Sequence, residues 1–167
     1  MINIYFFQTQ IGTIGIAEED NRITNVFFET DYNKEAVFNG DKFLQQSGFY
    51  LNETALLREA GNQLDEYLKG KRIAFDLPLA PKGTDFMKTV WNCLNTIPYG
   101  DTKSYKQIAE AAGNPKACRA VGMANNKNPI PIFIPCHRVV GANGSLTGYR
   151  GGLEIKQKLL EIEKRKI

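Results

Sequence analysis

The sequence predicts an α+β protein, with a small antiparallel sheet and a helix in its N-terminal part and a mostly helical C-terminal part. Residues 2–29 alternate runs of strand-forming residues with short polar turns, whereas residues 84–164 carry apolar residues at helical spacing. A proline-containing segment over residues 77–83 separates the two patterns and is the best candidate for a linker. We therefore expect one domain over residues 1–80 and a second over residues 84–167.

Three strands are predicted at the N-terminus, over residues 2–8, 13–18 and 22–29. They are rich in Ile, Phe, Val and Tyr, and the turns between them are short, so they should form an antiparallel meander. Residues 30–51 are polar and poorly periodic, which indicates mostly loop with room for one short helix.

An amphipathic helix is predicted from Thr54 to Leu68, because apolar residues recur at helical spacing and Gly70 follows the last of them. Beyond it, apolar and other residues alternate over residues 73–77, which predicts a further strand.

The C-terminal part begins with Thr84, a suitable N-cap for a helix through Ile97. Cys93 lies near the apolar face of that helix, and we interpret it as a small core residue. A helix over residues 104–112, a glycine-containing turn and a basic second helix over residues 116–125 are typical of a helix-turn-helix, although such pairs also occur as plain packing units.

The composition limits the classes of function. Three cysteines and one histidine provide no four-ligand zinc site, and no metal or cofactor is expected. The chain has no signal peptide and no run of apolar residues long enough to span a membrane, so we expect a cytoplasmic protein with reduced thiols. Residues 101–127 hold five basic and two acidic side chains and so account for the whole net charge of +3. Such a stretch is more often a solvated helix face, but it also suits a phosphate backbone.

The only histidine, His137, directly follows Cys136. A thiol beside an imidazole can act as a nucleophile, because a neighbouring base or cation increases the thiolate population. Most Cys-His pairs have no such role, since neighbouring side chains on a strand point to opposite faces. Here Pro135 restricts the backbone ahead of Cys136, which favours a fixed position for the thiol. If the site is reactive, we expect the pKa of the Cys136 thiol to lie below the roughly 8.5 of a free cysteine.

A final helix is predicted over residues 153–164, after a tight turn at Asn143-Gly144. Glu163 lies on or beside the apolar face of this helix. It is either an exposed carboxylate near the helix end or a buried one, and a buried carboxylate needs a partner, for which His137 is the only imidazole available.

Residues 135–138 read Pro-Cys-His-Arg, with Asn128-Pro129 ahead and Gly148–Leu153 behind. Together these motifs resemble the O6-alkylguanine-DNA alkyltransferases, also called methylated-DNA–protein-cysteine methyltransferases. The resemblance runs from Gly83 to Glu163 and implies a ribonuclease H-like fold for the N-terminal half. It implies a monomeric DNA-repair enzyme that flips O6-alkylguanine out of duplex DNA and transfers the alkyl group, such as methyl, irreversibly to its own cysteine, in a single turnover.

The resemblance also implies catalytic roles. In the family, a glutamate at this position orients the histidine, the histidine reaches the cysteine through a water, and an asparagine braces the cysteine segment. The catalytic residues implied are Cys136, His137, Glu163 and Asn128.

For binding duplex DNA, the resemblance places the second helix of the helix-turn-helix in the minor groove. Arg119 matches the arginine that fills the space left by the flipped base. The DNA-binding residues implied are Arg119, Tyr105, Lys106, Asn114 and Lys116.

The substrate pocket implied by the resemblance consists of Tyr105, Val139, Tyr149, Arg150 and Gly151. Tyr105 matches a tyrosine whose hydroxyl faces the guanine ring, whereas Tyr149 taken alone reads as an ordinary packed aromatic. Arg150 stands where many members have a small residue, so the size of alkyl group that the pocket accepts is open.

Two other functions remain possible on the sequence. Some relatives recognise alkylated guanine without catalysis, but they have lost the cysteine that this chain keeps. A Cys–His hydrolase would need a substrate cleft and an oxyanion hole, which no motif indicates.

Overall fold

The structure is a computed structural model that describes residues 1–32 and 48–165. It divides into two units, Met1–Pro81 and Lys82–Ile167, and the division falls within the proline-containing segment over residues 77–83. Within the described residues, no helix is long and apolar enough to cross a membrane.

The predicted antiparallel meander is confirmed. Strands β1 (Ile2–Thr9) and β3 (Arg22–Phe27) both pair antiparallel with β2 (Gly12–Glu19), which lies between them. Asp20 and Asn21, in the turn between β2 and β3, have φ angles of 52° and 60°. Short polar side chains tolerate this left-handed backbone, and two such residues in succession make a hairpin turn whose twist suits the flanking strands.

The segment that follows the meander differs from the prediction in two places. β3 ends at Phe27 rather than residue 29, because Glu29–Asp31 forms a single 3₁₀ turn. Within the predicted loop over residues 30–51, Phe49–Leu51 forms strand β4, which pairs parallel with β1. A three-residue strand carries almost no periodicity of its own, so only its distant partner specifies it. Residues 33–47 of that predicted loop lie outside the described residues.

The predicted helix in the N-terminal unit is confirmed as α1, Ala55–Leu68. The Thr54 hydroxyl accepts a hydrogen bond of 3.2 Å from the backbone N–H three residues on and caps the helix. Gly70 has a φ of 74° just beyond the C-terminal end. Gly61 lets α1 approach the sheet, since a Cβ there would overlap the ring of Phe7 on β1.

The prediction of a strand over residues 73–77 is wrong, because these residues form no strand in the structure. Ile73 is 55% exposed, and the backbone of this segment bonds to a side chain rather than to a strand. Gln63 on α1 accepts a hydrogen bond from the Asp76 N–H at 2.9 Å and donates one to the Asp76 carbonyl at 3.1 Å. A side-chain amide thus satisfies the two groups that a neighbouring strand would have bonded.

The C-terminal unit begins with helix α2, Asp85–Leu94, which follows the predicted N-cap Thr84. α2 ends three residues before the predicted end at Ile97, because the residue ahead of Pro98 is restricted away from helical backbone and the chain turns there instead. Cys93, predicted to be a core residue, is only half-buried.

The predicted helix-turn-helix is confirmed. It consists of α3, Tyr105–Ala111, and α4, Cys118–Asn126, joined by a turn in which Gly113 has a φ of 85°. α4 begins two residues later than predicted, because the Lys116 N–H donates to the Asn114 side chain at 3.3 Å and so belongs to the turn.

Two short strands in this unit were not predicted: β5, Lys103–Ser104, pairs parallel with β6, Val139–Val140. The final helix, α5, has the predicted bounds Leu153–Lys164. The tight turn at Asn143-Gly144 is confirmed by a φ of 80° at its glycine.

Candidate active site and DNA-facing surface

The cysteine lies in a buried, non-regular segment. Every residue from Ile130 to Val140 is buried, and Cys136 is only 3% exposed. Cys136–Arg138 forms one 3₁₀ turn directly after Pro135. Ile132 has a φ of 75°, which a β-branched residue rarely adopts, at a cost on the order of 1–3 kcal/mol. The packing around this segment therefore holds the approach to Cys136 in place.

Two asparagine side chains hold this segment through its backbone. Asn128 accepts a hydrogen bond from the Ile130 N–H at 3.0 Å and donates one to the Ile134 carbonyl at 2.9 Å. Asn125, near the end of α4, donates to the carbonyl of Cys136 itself at 3.3 Å. Asn128 thus lies where a brace of the cysteine segment would be needed. Asn125 was not singled out from the sequence, where an asparagine near a helix end is unremarkable.

His137 and Glu163 meet in the interior, although 26 positions separate them. The His137 Nε2 and Glu163 Oε2 atoms are 2.6 Å apart, and the two side chains are 0% and 1% exposed. Of the two placements considered for Glu163, the buried one is therefore confirmed. Because the Glu163 carboxylate occupies Nε2, the lone pair of a neutral imidazole lies on Nδ1.

Arg138 completes the surroundings of Glu163. Its Nε donates to Oε1 at 2.8 Å and its Nη2 to Oε2 at 3.1 Å, while Nη1 donates to the Ile97 carbonyl at 2.7 Å. The Gly100 N–H also points to Oε1, at 3.3 Å. The sequence showed Arg138 only as part of a motif, because nothing local to it indicates a carboxylate partner on a distant helix.

Burial sets the protonation of the histidine. Desolvation lowers the pKa of His137, and the Arg138 charge works in the same direction, although the hydrogen bond and the charge of Glu163 oppose it. The imidazole is therefore neutral near pH 7 and able to accept a proton at Nδ1.

Burial raises the pKa of the Cys136 thiol, whereas the sequence analysis predicted a lowered pKa. Desolvation raises the pKa of Cys136, against the smaller lowering effects of Asn128 and of the positive charges of Lys156 and Arg150. The prediction of a lowered thiol pKa is therefore wrong for this structure. Removing the thiolate from water destabilises it by more than Asn128, Lys156 and Arg150 stabilise it.

Lys156 is a second charged residue of the site that the sequence analysis missed. It is 0% exposed, and its Nζ donates to the Val139 carbonyl at 2.6 Å and to the Thr147 carbonyl at 2.7 Å. Burial lowers the pKa of Lys156 to about 8, with the charge of Cys136 opposing the shift. A signal for it existed, since Lys156 stands three residues before Leu159 and so lies on the apolar face of α5.

The predicted pocket residues are brought together in part. Tyr149 is buried, and desolvation raises the pKa of its phenol well above the ordinary value. The charges of Cys136 and Arg150 both act on that phenol, which places all three side chains in one neighbourhood. Val139 is buried in β6, while Gly151 is half-buried in the turn leading to α5.

Tyr105 occupies the first position of α3 and is half-exposed. Its hydroxyl donates to the Thr147 carbonyl at 3.3 Å and accepts a hydrogen bond from the Thr147 hydroxyl at 3.0 Å. Its ring faces α4, where a Cβ on Gly122 would lie 3.9 Å from it. Tyr105 therefore links the helix-turn-helix to the loop that follows β6.

Four of the five predicted DNA-binding residues have exposed side chains in the helix-turn-helix, and the fifth, Tyr105, is half-exposed. Arg119 lies in the first turn of α4, with its side chain exposed. The other predicted DNA-binding residues with exposed side chains are Lys106, Asn114 and Lys116. Within the part of the chain that the structure describes, no group of three or more His, Cys, Asp or Glu residues could hold a metal ion.

Comparison with known proteins matches both units of the chain to domains of one protein family. Residues 3–81 match the model for the ribonuclease-like domain of 6-O-methylguanine DNA methyltransferase, and residues 85–165 match the model for its DNA-binding domain. A helix-turn-helix beside a buried cysteine, histidine and glutamate is the arrangement of a DNA-acting protein with a thiol nucleophile. The chain belongs to the 6-O-methylguanine DNA methyltransferase family.

Similar proteins cover nearly the whole chain. The methylated-DNA–protein-cysteine methyltransferase of Methanosarcina acetivorans is 46% identical and aligns over 94% of this chain and 95% of its own length. The constitutive enzyme of that name from Bacillus subtilis is 49% identical over 94% of this chain and 92% of its own. The crystal structure of Mycobacterium tuberculosis OGT in complex with DNA is 40% identical, with a TM-score of 0.85 over 97% of this chain and 92% of that one.

Proposed function

We propose that this protein repairs DNA by transferring the alkyl group of O6-alkylguanine irreversibly to its own Cys136. The observation that carries the proposal is the buried pair of His137 Nε2 and Glu163 Oε2, 2.6 Å apart, directly after the cysteine. The methyltransferase names of relatives that span nearly the whole chain support the same reaction.

The reaction is a displacement at the alkyl carbon. The sulfur of Cys136 forms a bond to that carbon while the bond from the carbon to O6 breaks, and the bonding electron pair stays on guanine. The thiol proton passes towards the neutral His137, through a water in the family. The guanine anion takes up a proton from solvent as it leaves, and the imidazolium returns its proton to solvent. Glu163 orients His137 and stabilises the imidazolium that forms.

The burial of the Cys136 thiol explains why it should lose its proton only when a substrate is bound. A resting thiol with a raised pKa is mostly protonated near neutral pH, so stray electrophiles meet a weak nucleophile. Deprotonation is then tied to the presence of a substrate in the pocket. Because a thioether has no chemical route back to the thiol here, each chain acts once.

DNA recognition is assigned to the exposed surface of the helix-turn-helix. The target base must leave the stack before its O6 substituent can meet a buried sulfur, at a cost of a few kcal/mol. Arg119 fills the vacated space, while Lys106, Asn114 and Lys116 contact the backbone near it. Tyr105 faces the guanine ring, and Val139, Tyr149, Arg150 and Gly151 form the rest of the pocket. We assign the reaction to the cytoplasm, because the substrate is DNA and the thiol must stay reduced. The family resemblance implies that the protein acts as a monomer.

Mass spectrometry tests the proposal directly. The protein is incubated with duplex DNA carrying one O6-methylguanine, and its intact mass should rise by one methylene equivalent and then stop. Peptide mapping should place the methyl group on Cys136, and a Cys136→Ala variant should bind the same DNA without gaining mass. Transfer of more than one methyl per chain, or a label on Cys93 or Cys118, would contradict the proposal.

The same experiment decides between this function and its alternatives. A non-catalytic reader of alkylated guanine would bind the damaged duplex and leave the methyl group in place. A Cys–His hydrolase would release methylated products without a stable gain in protein mass. The presence of Cys136 beside His137 is what disfavours the first alternative.

A further inference from the structure

The loop between the Asn143-Gly144 turn and α5 contains one residue, Thr147, whose contacts join two parts of the site. Its hydroxyl donates to the Tyr105 oxygen at 3.0 Å, and its carbonyl accepts from the Tyr105 hydroxyl at 3.3 Å. The same carbonyl accepts from the Nζ of Lys156 at 2.7 Å. A single loop residue thus lies between a buried ammonium group and an exposed phenol.

The two hydrogen bonds to the Thr147 carbonyl differ in strength. The bond from Lys156 is short and charge-assisted, whereas 3.3 Å is longer than the usual range for a bond between a hydroxyl and an oxygen. If the Tyr105 hydrogen turned to another acceptor, the carbonyl would remain satisfied by Lys156. The phenol can therefore redirect its hydrogen towards a ligand without leaving an unpaired carbonyl behind.

The Thr147 hydroxyl acts on the other side of the same phenol. By donating to the Tyr105 oxygen, it holds that oxygen in place and polarises the phenolic O–H bond, because hydrogen bonds in a chain strengthen one another. A polarised O–H group is a better donor to an acceptor on which negative charge develops.

We propose that Thr147 is a positioning residue that presents the Tyr105 hydroxyl to the departing guanine and strengthens its hydrogen bond. The inference rests on the proposed function, in which Tyr105 faces the guanine ring. As the sulfur–carbon bond forms and the carbon–O6 bond breaks, negative charge spreads over the guanine ring, and the Tyr105 O–H stabilises it. Neither Tyr105 nor Thr147 gains or loses a proton in this step.

The test is a double-mutant cycle between Thr147 and Tyr105, read as the single-turnover rate of methyl transfer at saturating duplex. Thr147→Val keeps the shape of an exposed side chain and removes the hydroxyl, so it should slow transfer by about threefold to tenfold, the range of one neutral hydrogen bond. Thr147→Ser should restore the rate to near that of the unaltered chain. In a Tyr105→Phe background, Thr147→Val should have no further effect.

Two controls separate this role from a merely structural one. The rate at which iodoacetamide alkylates Cys136, which needs no leaving-group assistance, should be the same in Thr147→Val as in the unaltered chain, and so should the urea midpoint of unfolding. Normal transfer by Thr147→Val, an equal loss in the Tyr105→Phe background, or an equal loss in the iodoacetamide reaction would each overturn the inference alone. An unaltered chain that transfers no methyl group would overturn the proposed function and this inference with it.

Discussion

At the residue scale, the surroundings of Cys136, the proposed nucleophile, favour its protonated form. Burial raises the pKa of the thiol, and the neighbouring cations Lys156 and Arg150 only partly offset that effect. His137 is neutral for the same reason, since burial lowers the pKa of its imidazole. A protonated thiol and a neutral imidazole are therefore the resting forms of these two buried side chains.

The protonation of Cys136 predicts how its reactivity depends on pH. The thiolate is the reactive form and its pKa is raised, so iodoacetamide should alkylate Cys136 more slowly at pH 7 than it alkylates a free thiol, and the rate should still rise with pH above about 8.5. Peptide mass mapping separates Cys136 from Cys93 and Cys118. The same cysteine in urea-unfolded protein is the control and should titrate at a lower pH. A folded-state midpoint below the unfolded one would contradict this expectation.

The Glu163 carboxylate predicts a large effect on stability. In Glu163→Gln the buried Arg138 guanidinium loses its counter-ion, and breaking a buried pair in this way typically costs about 3–5 kcal/mol. Denaturant unfolding should show this loss as a fall in the free energy of unfolding. Glu161→Gln is the matched control, since Glu161 is exposed on the same helix, and its effect should stay within about 0.5 kcal/mol. Equal effects of the two substitutions would mean that the buried carboxylate has no special role.

At the element scale, the helix-turn-helix and the buried cysteine segment are distinct parts of the C-terminal unit, which suits the proposed separation of DNA contact from chemistry. The charged side chains of α3 and α4 are exposed, whereas the segment over residues 130–140 is buried and contains Cys136. Asn125, near the end of α4, donates directly to the Cys136 carbonyl at 3.3 Å. α4, the helix proposed to contact DNA, is therefore joined to the backbone of Cys136 by a direct hydrogen bond.

This separation predicts different results for two exposed cations of the motif. Arg119→Ala should slow repair of duplex DNA about tenfold or more, while the reaction with free O6-methylguanine base, which needs no flipping, stays nearly unchanged. Lys116→Ala, the matched control, should instead weaken binding to any duplex and reduce the slope of log affinity against log salt by about 1. The deciding quantity is the ratio of the duplex rate to the free-base rate. If Arg119→Ala lowers both rates equally, Arg119 supports the fold or the pocket and is not the flipping residue.

At the scale of the whole molecule, charge and chemistry are concentrated in the unit Lys82–Ile167. The basic residues that account for the net charge of +3 lie between residues 101 and 127, and their side chains are exposed. The same unit holds the buried Cys136 and the interior in which His137 and Glu163 meet. The unit Met1–Pro81 contributes a sheet in the order β3-β2-β1-β4 among its described residues, with α1 packed against it.

The sequence by itself determined the features that depend on neighbouring residues. The cap at Thr84, the period of α5 and the turn at Asn143-Gly144 are local signals, and each is confirmed. The Pro-Cys-His-Arg motif, together with its flanking motifs, was enough to indicate the family. Local signals sufficed because helix caps, turns and hydrophobic periods arise from interactions within a few residues.

Only the tertiary structure decided the features that join distant parts of the chain. Strand β4 exists because β1 offers it a parallel edge, and the predicted strand over residues 73–77 is lost because Gln63 takes its hydrogen-bonding groups. The burial of Lys156 and the raised pKa of Cys136 follow from how much water the folded chain excludes. Pairing partners and desolvation are properties of three-dimensional packing, and no sequence window of a few residues contains them.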